Sequence, residues 1–206
     1  MTIKAGATFR PYRRGITWCS WGDSITQGTL CESARHSYVQ MAARTLGWTP
    51  VKRGFGGAGC PDPMTALAIA TTDPWDVLTI AIGINDAVLG LVEPSEFGIM
   101  YRACLDIIRQ RRPNRPVACI SPIVCTMEKS ETGVPVTALT ARRRQVIRDV
   151  VERFDGPCVF HVNGLHLLSE ESALIDDIHP AMAGHALMAE RLAPRLASLL
   201  RGNHSC

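Results

Sequence analysis

A serine, an aspartate and a histidine in this chain carry the residue types and spacing of a nucleophile–base pair. Ser24 lies in the tetrapeptide Gly22-Asp23-Ser24-Ile25, after the apolar run Ile16-Thr17-Trp18-Cys19-Ser20-Trp21. Far downstream stands Asp176-Asp177-Ile178-His179-Pro180. A serine hydroxyl is a weak nucleophile until an adjacent base takes its proton. His179 can be that base, because a carboxylate three residues earlier, Asp176, can accept from one ring nitrogen and leave the other free. Asp177 is nearer in sequence, but consecutive side chains tend to diverge. The order Ser…Asp…His is one of several chain orders that build such a row. The plainer alternatives are a helix-capping serine, a structural acid at Asp23, a helix-start acid at Asp176 or Asp177, and a surface histidine.

Ester chemistry also needs donors aimed where a tetrahedral oxyanion develops. Asn85, in Gly83-Ile84-Asn85-Asp86, offers a side-chain amide, and the turn Gly54-Phe55-Gly56-Gly57-Ala58-Gly59 offers backbone N–H groups. Gly54, Gly56 and Gly59 also satisfy G-x-G-x-x-G. That fingerprint fits poorly: it follows the second strand, and Pro61 and Pro63 remove N–H groups where a phosphate-binding helix should begin. A metal set of Asp176, His179 and His185 is a further alternative. His36, His161, His166 and His185 have no comparable partner nearby in sequence.

These residues need elements to hold them. Apolar strand-like runs cover Ile16–Trp21, Val77–Ile82, Val117–Ile123 and Cys158–Val162, with a weaker one at Thr49–Arg53. Helical spacing joins Phe97, Met100, Tyr101, Cys104, Leu105 and Ile108. Val146, Ile147, Val150, Val151 and Phe154 repeat it, with arginines expected opposite. A last helix is expected to follow Pro180, a residue preset for a first helical position, with Met182, Ala186, Ala189, Ala193, Leu196 and Leu200 inward and a kink at Pro194. Near-continuous apolar strands between helices indicate a parallel sheet covered on both faces. Five strands suit a flavodoxin-like order of 2-1-3-4-5. Strands one and three then end side by side at the switch point, with Ser24 and Asn85 beside each other. No linker or repeat divides the chain, so residues 1–206 are expected to form one domain.

The composition is ordinary for a soluble globular enzyme. Of 206 residues 46% are hydrophobic and 20% charged, with a net charge of +3, which is neither disordered nor membranous. No run approaches the ~18 apolar residues of a membrane span. Residues Met1 to Gly15 lack the apolar stretch of a secretory signal, so a cytoplasmic location is expected. The arginine clusters 109–115 and 142–148 carry no interleaved aromatics and are expected on solvated helix faces, which argues against a nucleic-acid partner. The eight cysteines show no C-x-x-C pair and are expected to be mostly buried thiols rather than a disulfide framework.

The sequence resembles the SGNH hydrolases, the GDSL-type esterases and lipases, through four blocks in order: Gly22-Asp23-Ser24-Ile25, the Phe-Gly-Gly-Ala turn with Gly57, Gly83-Ile84-Asn85-Asp86, and Asp176-x-x-His179-Pro180. The resemblance implies a three-layer α/β/α sandwich and hydrolysis of esters or thioesters through an acyl-enzyme. It assigns Ser24, His179 and Asp176 to nucleophile, base and acid, and Ser24, Gly57 and Asn85 to the oxyanion hole, with Gly56 one position away. It implies no metal or organic cofactor. A small ester is the expected partner, with oligomeric state open. Acyl transfer and carbohydrate O-deacetylation on the same site are the enzymatic alternatives, and a non-catalytic doubly wound binding module is the alternative from another class. Trp18, Trp21, Trp48, Trp75 and Phe55 are candidates to line a pocket.

Overall fold

A computed structural model describes residues 15–90, 92–156 and 158–201; the reading of the N-terminal segment falls almost wholly outside them. They form a five-stranded parallel sheet in the order β2-β1-β3-β4-β5. The strands are β1 (Thr17–Gly22), β2 (Thr49–Gly54), β3 (Val77–Ala81), β4 (Val117–Ile120) and β5 (Val159–Val162). The expected topology is the observed one.

Each inner strand alternates between two cores, the period-2 signature of a sheet buried on both sides. In β4, Val117 and Cys119 face one cluster while Ala118 and Ile120 face the other. Helices α3 (Pro63–Thr72), α5 (Pro94–Arg111) and α6 (Val136–Glu152) cover the first side. On the second side lie α1 (Ser24–Gln27), α2 (Tyr38–Leu46), α4 (Ile84–Leu89) and α7 (Met182–Arg201).

Several expectations need correction. α7 follows Pro180 as expected, beginning at Met182, but it continues through Pro194 to Arg201. Its buried positions are Gly184, His185, Met188, Ala189, Leu192, Ala193 and Leu196, whereas Ala186 is exposed. The arginine cluster on α6 is a solvated face only in part. Arg142 and Arg148 are exposed, but Arg143 is 1% exposed and Arg144 half-buried. Arg143 donates to Asp86 of α4 and to the Val92 carbonyl, and its guanidinium lies 4.9 Å from the Phe97 ring centroid. Trp18, Trp21 and Trp75 are core residues, and Trp48 packs against the core; Phe55 alone of the pocket candidates stays exposed. Cys19, Cys31, Cys60, Cys104, Cys119 and Cys125 are free thiols, and burial pushes those of Cys19 and Cys119 up to about 12. Cys158 is disulfide-bonded and departs from that expectation. No described helix is long and apolar enough to cross a membrane.

Candidate active site

β1 ends at Gly22, and the chain turns at once into α1. Asp23 caps that helix: its carboxylate accepts from the Ile25 N–H at 2.9 Å, and Ser24 follows as the first helical residue. Asp23 is 3% exposed. Burial pushes its carboxyl up to about 6, against the backbone N–H groups that favour the ionised form.

Ser24 Oγ lies 2.8 Å from His179 Nε2, and His179 Nδ1 lies 2.8 Å from Asp176 Oδ2. With the proton on Nδ1, that nitrogen donates to the carboxylate and Nε2 accepts from the serine. Asp176 Oδ1 takes the backbone N–H groups of Ile178 at 2.8 Å and His179 at 2.6 Å. This tight turn explains the Asp-x-x-His spacing, since one carboxylate holds both the backbone and the ring of the histidine. Partial burial raises the Asp176 carboxyl, but these hydrogen bonds and the imidazole outweigh it and leave it below its ordinary value. Asp177 faces elsewhere: its carboxylate accepts from Thr126 Oγ1 at 2.9 Å, and its carbonyl from the Thr126 N–H at 2.9 Å.

The Gly-rich turn follows β2, which lies beside β1. At Gly54 a Cβ would fall 2.3 Å from the Gln27 backbone nitrogen, so only glycine lets β2 approach α1 this closely. The Ala58 N–H closes a turn onto the Phe55 carbonyl at 3.1 Å. Gly57 stands at φ +74°, the conformation that a type II turn requires at its third residue. Gly56 donates its N–H to Gln27 Oε1 at 2.7 Å, and a Cβ on Gly56 would stand 3.9 Å from Ser24 Cβ. The Gly57 N–H makes no hydrogen bond among the described residues. Asn85, in the first turn of α4, donates from Nδ2 to the Ala58 carbonyl of the same turn.

Ser24, the glycine turn, Asn85 and His179 therefore meet at the carboxyl edge of β1, β2 and β3. His185 belongs to a different network, so the metal set is not assembled. Among the described residues no three of His, Cys, Asp or Glu are grouped to hold a metal ion. Sequence reasoning missed the role of Gln27, which holds the glycine turn against α1. Its partner Gly56 lies 29 residues away, so no local spacing pointed to it.

The family model described as the GDSL-like lipase/acylhydrolase family matches residues 21–187. The chain belongs to that family. It is similar to the cellulase/esterase CelE of Acetivibrio thermocellus, at 24% identity over 93% of this chain and 26% of that protein. Among solved structures it resembles the salicylyl-acyltransferase SsfX3 of a tetracycline biosynthetic pathway, with a TM-score of 0.79 and 22% identity over 96% of this chain and 58% of the other. The aryl esterase of M. smegmatis gives a TM-score of 0.73 at 16% identity, over 90% of this chain and 100% of that one. The chain thus spans about a quarter of CelE and little more than half of the acyltransferase. At these identities the structural likeness concerns the fold.

Proposed function

We propose that the protein hydrolyses carboxylic esters through an acyl-enzyme on Ser24. The observation that carries this reading is the continuous row from Ser24 Oγ through both ring nitrogens of His179 to Asp176, with both contacts at 2.8 Å. As Oγ attacks the carbonyl carbon, Nε2 takes its proton. The imidazolium then protonates the departing alkoxide, and the same nitrogen activates water to release the acid. Asp176 fixes the tautomer and faces the imidazolium as an anion. The tetrahedral oxyanion would be met by the N–H of Ser24, which has no intrahelical partner at the start of α1, and by the uncommitted N–H of Gly57. The second amide hydrogen of Asn85 completes the set.

The test is a fluorophosphonate probe beside a p-nitrophenyl acetate assay. Wild-type protein should label once per chain. Ser24→Ala should lose the label and at least ~10³-fold in kcat while keeping its melting temperature. Retention of activity by folded Ser24→Ala removes the proposal.

A further inference from the structure

His185 is one of the few interior side chains left with an unpaired polar atom. It is fully buried on the inward face of α7, and its Nε2 has no hydrogen-bond partner. Its Nδ1 accepts from the Tyr38 N–H at 3.3 Å, which places the ring proton on Nε2. Burial, with Lys52 and His179 adding to it, lowers its basicity to about 4, so the ring is neutral. A buried N–H without a partner costs about 1–3 kcal/mol, and leucine would fill an apolar site without that cost. Packing alone does not account for a histidine here.

Its connections do. Tyr38 is the first residue of α2, whose preceding Ser37 makes no side-chain cap. The His185 ring therefore supplies the acceptor that this helix end otherwise lacks. The two rings lie parallel within 7°, with centroids 6.2 Å apart. The Tyr38 hydroxyl is hydrogen-bonded at 2.8 Å to Thr26 Oγ1 within α1, the helix that Ser24 begins. Lys52 adds a second tie between the same regions, donating to the Gln27 carbonyl at 2.8 Å and Ser37 Oγ at 3.2 Å. His185 itself is held by its N–H on the Ala181 carbonyl at 2.9 Å, two residues beyond His179. A closed circuit results: Ser24, Thr26, Tyr38, His185 and His179, returning to Ser24.

We propose that Thr26, Tyr38 and His185 form a buried brace that sets the separation of Ser24 and His179, with His185 a positioning residue for the ester hydrolysis proposed above. The inference rests on that reading of Ser24 and His179. A brace acts on the geometry of proton transfer and leaves the substrate-binding surface alone, so its loss appears in kcat and not in KM.

His185→Leu, Tyr38→Phe and Thr26→Val are assayed for kcat, KM, fluorophosphonate labelling rate and melting temperature. Each should lower kcat and the labelling rate at least ~10-fold and hold KM within about twofold. His185→Asn, whose Oδ1 can take the place of Nδ1, should recover most of the kcat lost by His185→Leu. A helix cap without a positioning role would lower the melting temperature and leave kcat intact. Unchanged kcat in folded Tyr38→Phe and Thr26→Val overturns the brace, as does a fall in kcat/KM that lies wholly in KM. If His185→Leu does not fold, the two hydroxyl deletions decide alone. Ser24→Ala run in parallel keeps the two proposals apart: a silent Ser24→Ala with normal brace variants removes only the brace, and an active Ser24→Ala removes the mechanism beneath it.

Discussion

Asp176 and Asp177 are neighbours in the chain with different partners in space. Asp176 holds the ring of His179, and Asp177 holds Thr126 on the loop after β4. Asp176→Asn should cut kcat about 10²–10⁴-fold by disturbing the tautomer, while Asp177→Asn should stay within a few-fold of wild type. Steady-state kinetics on the pair checks this, and a reversed order would move the acid by one residue. The local pairing was legible because both partners lie within one turn. The serine lies 155 residues away, and no periodicity could join it to the histidine; the four ordered blocks did. Asp23 carries a separate prediction. Its folded-state carboxyl sits near 6 rather than 3.8, so between those values the folded protein holds more protons than the unfolded chain. Stability therefore falls as pH rises through that window, and the deficit is complete above it. Asp23→Asn keeps an acceptor for the Ile25 N–H and removes the buried charge. It should raise the melting temperature by several degrees at pH 8 and by almost nothing below about pH 4. Thermal melts at both pH values test it; an equal difference at each would exclude the charge as cause.

At the scale of elements, the instructive case is α6. Its arginines suggested a solvated face, yet Arg143 is interior and paired with Asp86, both side chains at most 1% exposed. The signal was present in the spacing. Leu139, Arg143, Ile147 and Val151 form one i,i+4 row, and the other three are buried hydrophobics. A charge in such a row needs a partner, and the partner lies 57 residues earlier, beyond the reach of helical periodicity. Asp86 follows Asn85 directly, so the pair anchors the turn that presents the amide. Arg143→Met leaves Asp86 buried and unpaired and should cost about 3–5 kcal/mol. Arg143→Lys should not restore it, since one ammonium cannot span Asp86 and the Val92 carbonyl while lying over Phe97. Urea unfolding of the two variants measures both effects. Helix α3 was missed for another reason: it is apolar around its circumference, so no face stands out. In α2 the row Val39, Ala42, Ala43 and Leu46 was readable but not singled out.

At the scale of the molecule, the sheet order was legible because buried parallel strands are continuous apolar runs and right-handed crossovers leave few ways to connect them. The ends of elements were less so, since strand boundaries depend on pairing and Pro180 is followed by its helix only at Met182. The packing of the last helix against α2 has a consequence for how the protein is made. Tyr38, Val39, Ala42 and Ala43 share a core cluster with Leu192, Ala193 and Leu196. During synthesis α2 leaves the ribosome well before its cover exists, and an uncovered apolar face invites association with other nascent chains. A chain stopped after Pro180 would contain Ser24, Asn85, Asp176 and His179 and still lack that cover. It should accumulate in the insoluble fraction and show no esterase activity, whereas co-expression of α7 as a separate peptide should restore part of the soluble yield. Soluble, active protein from the shortened chain alone would show that the early elements shield one another without the last helix.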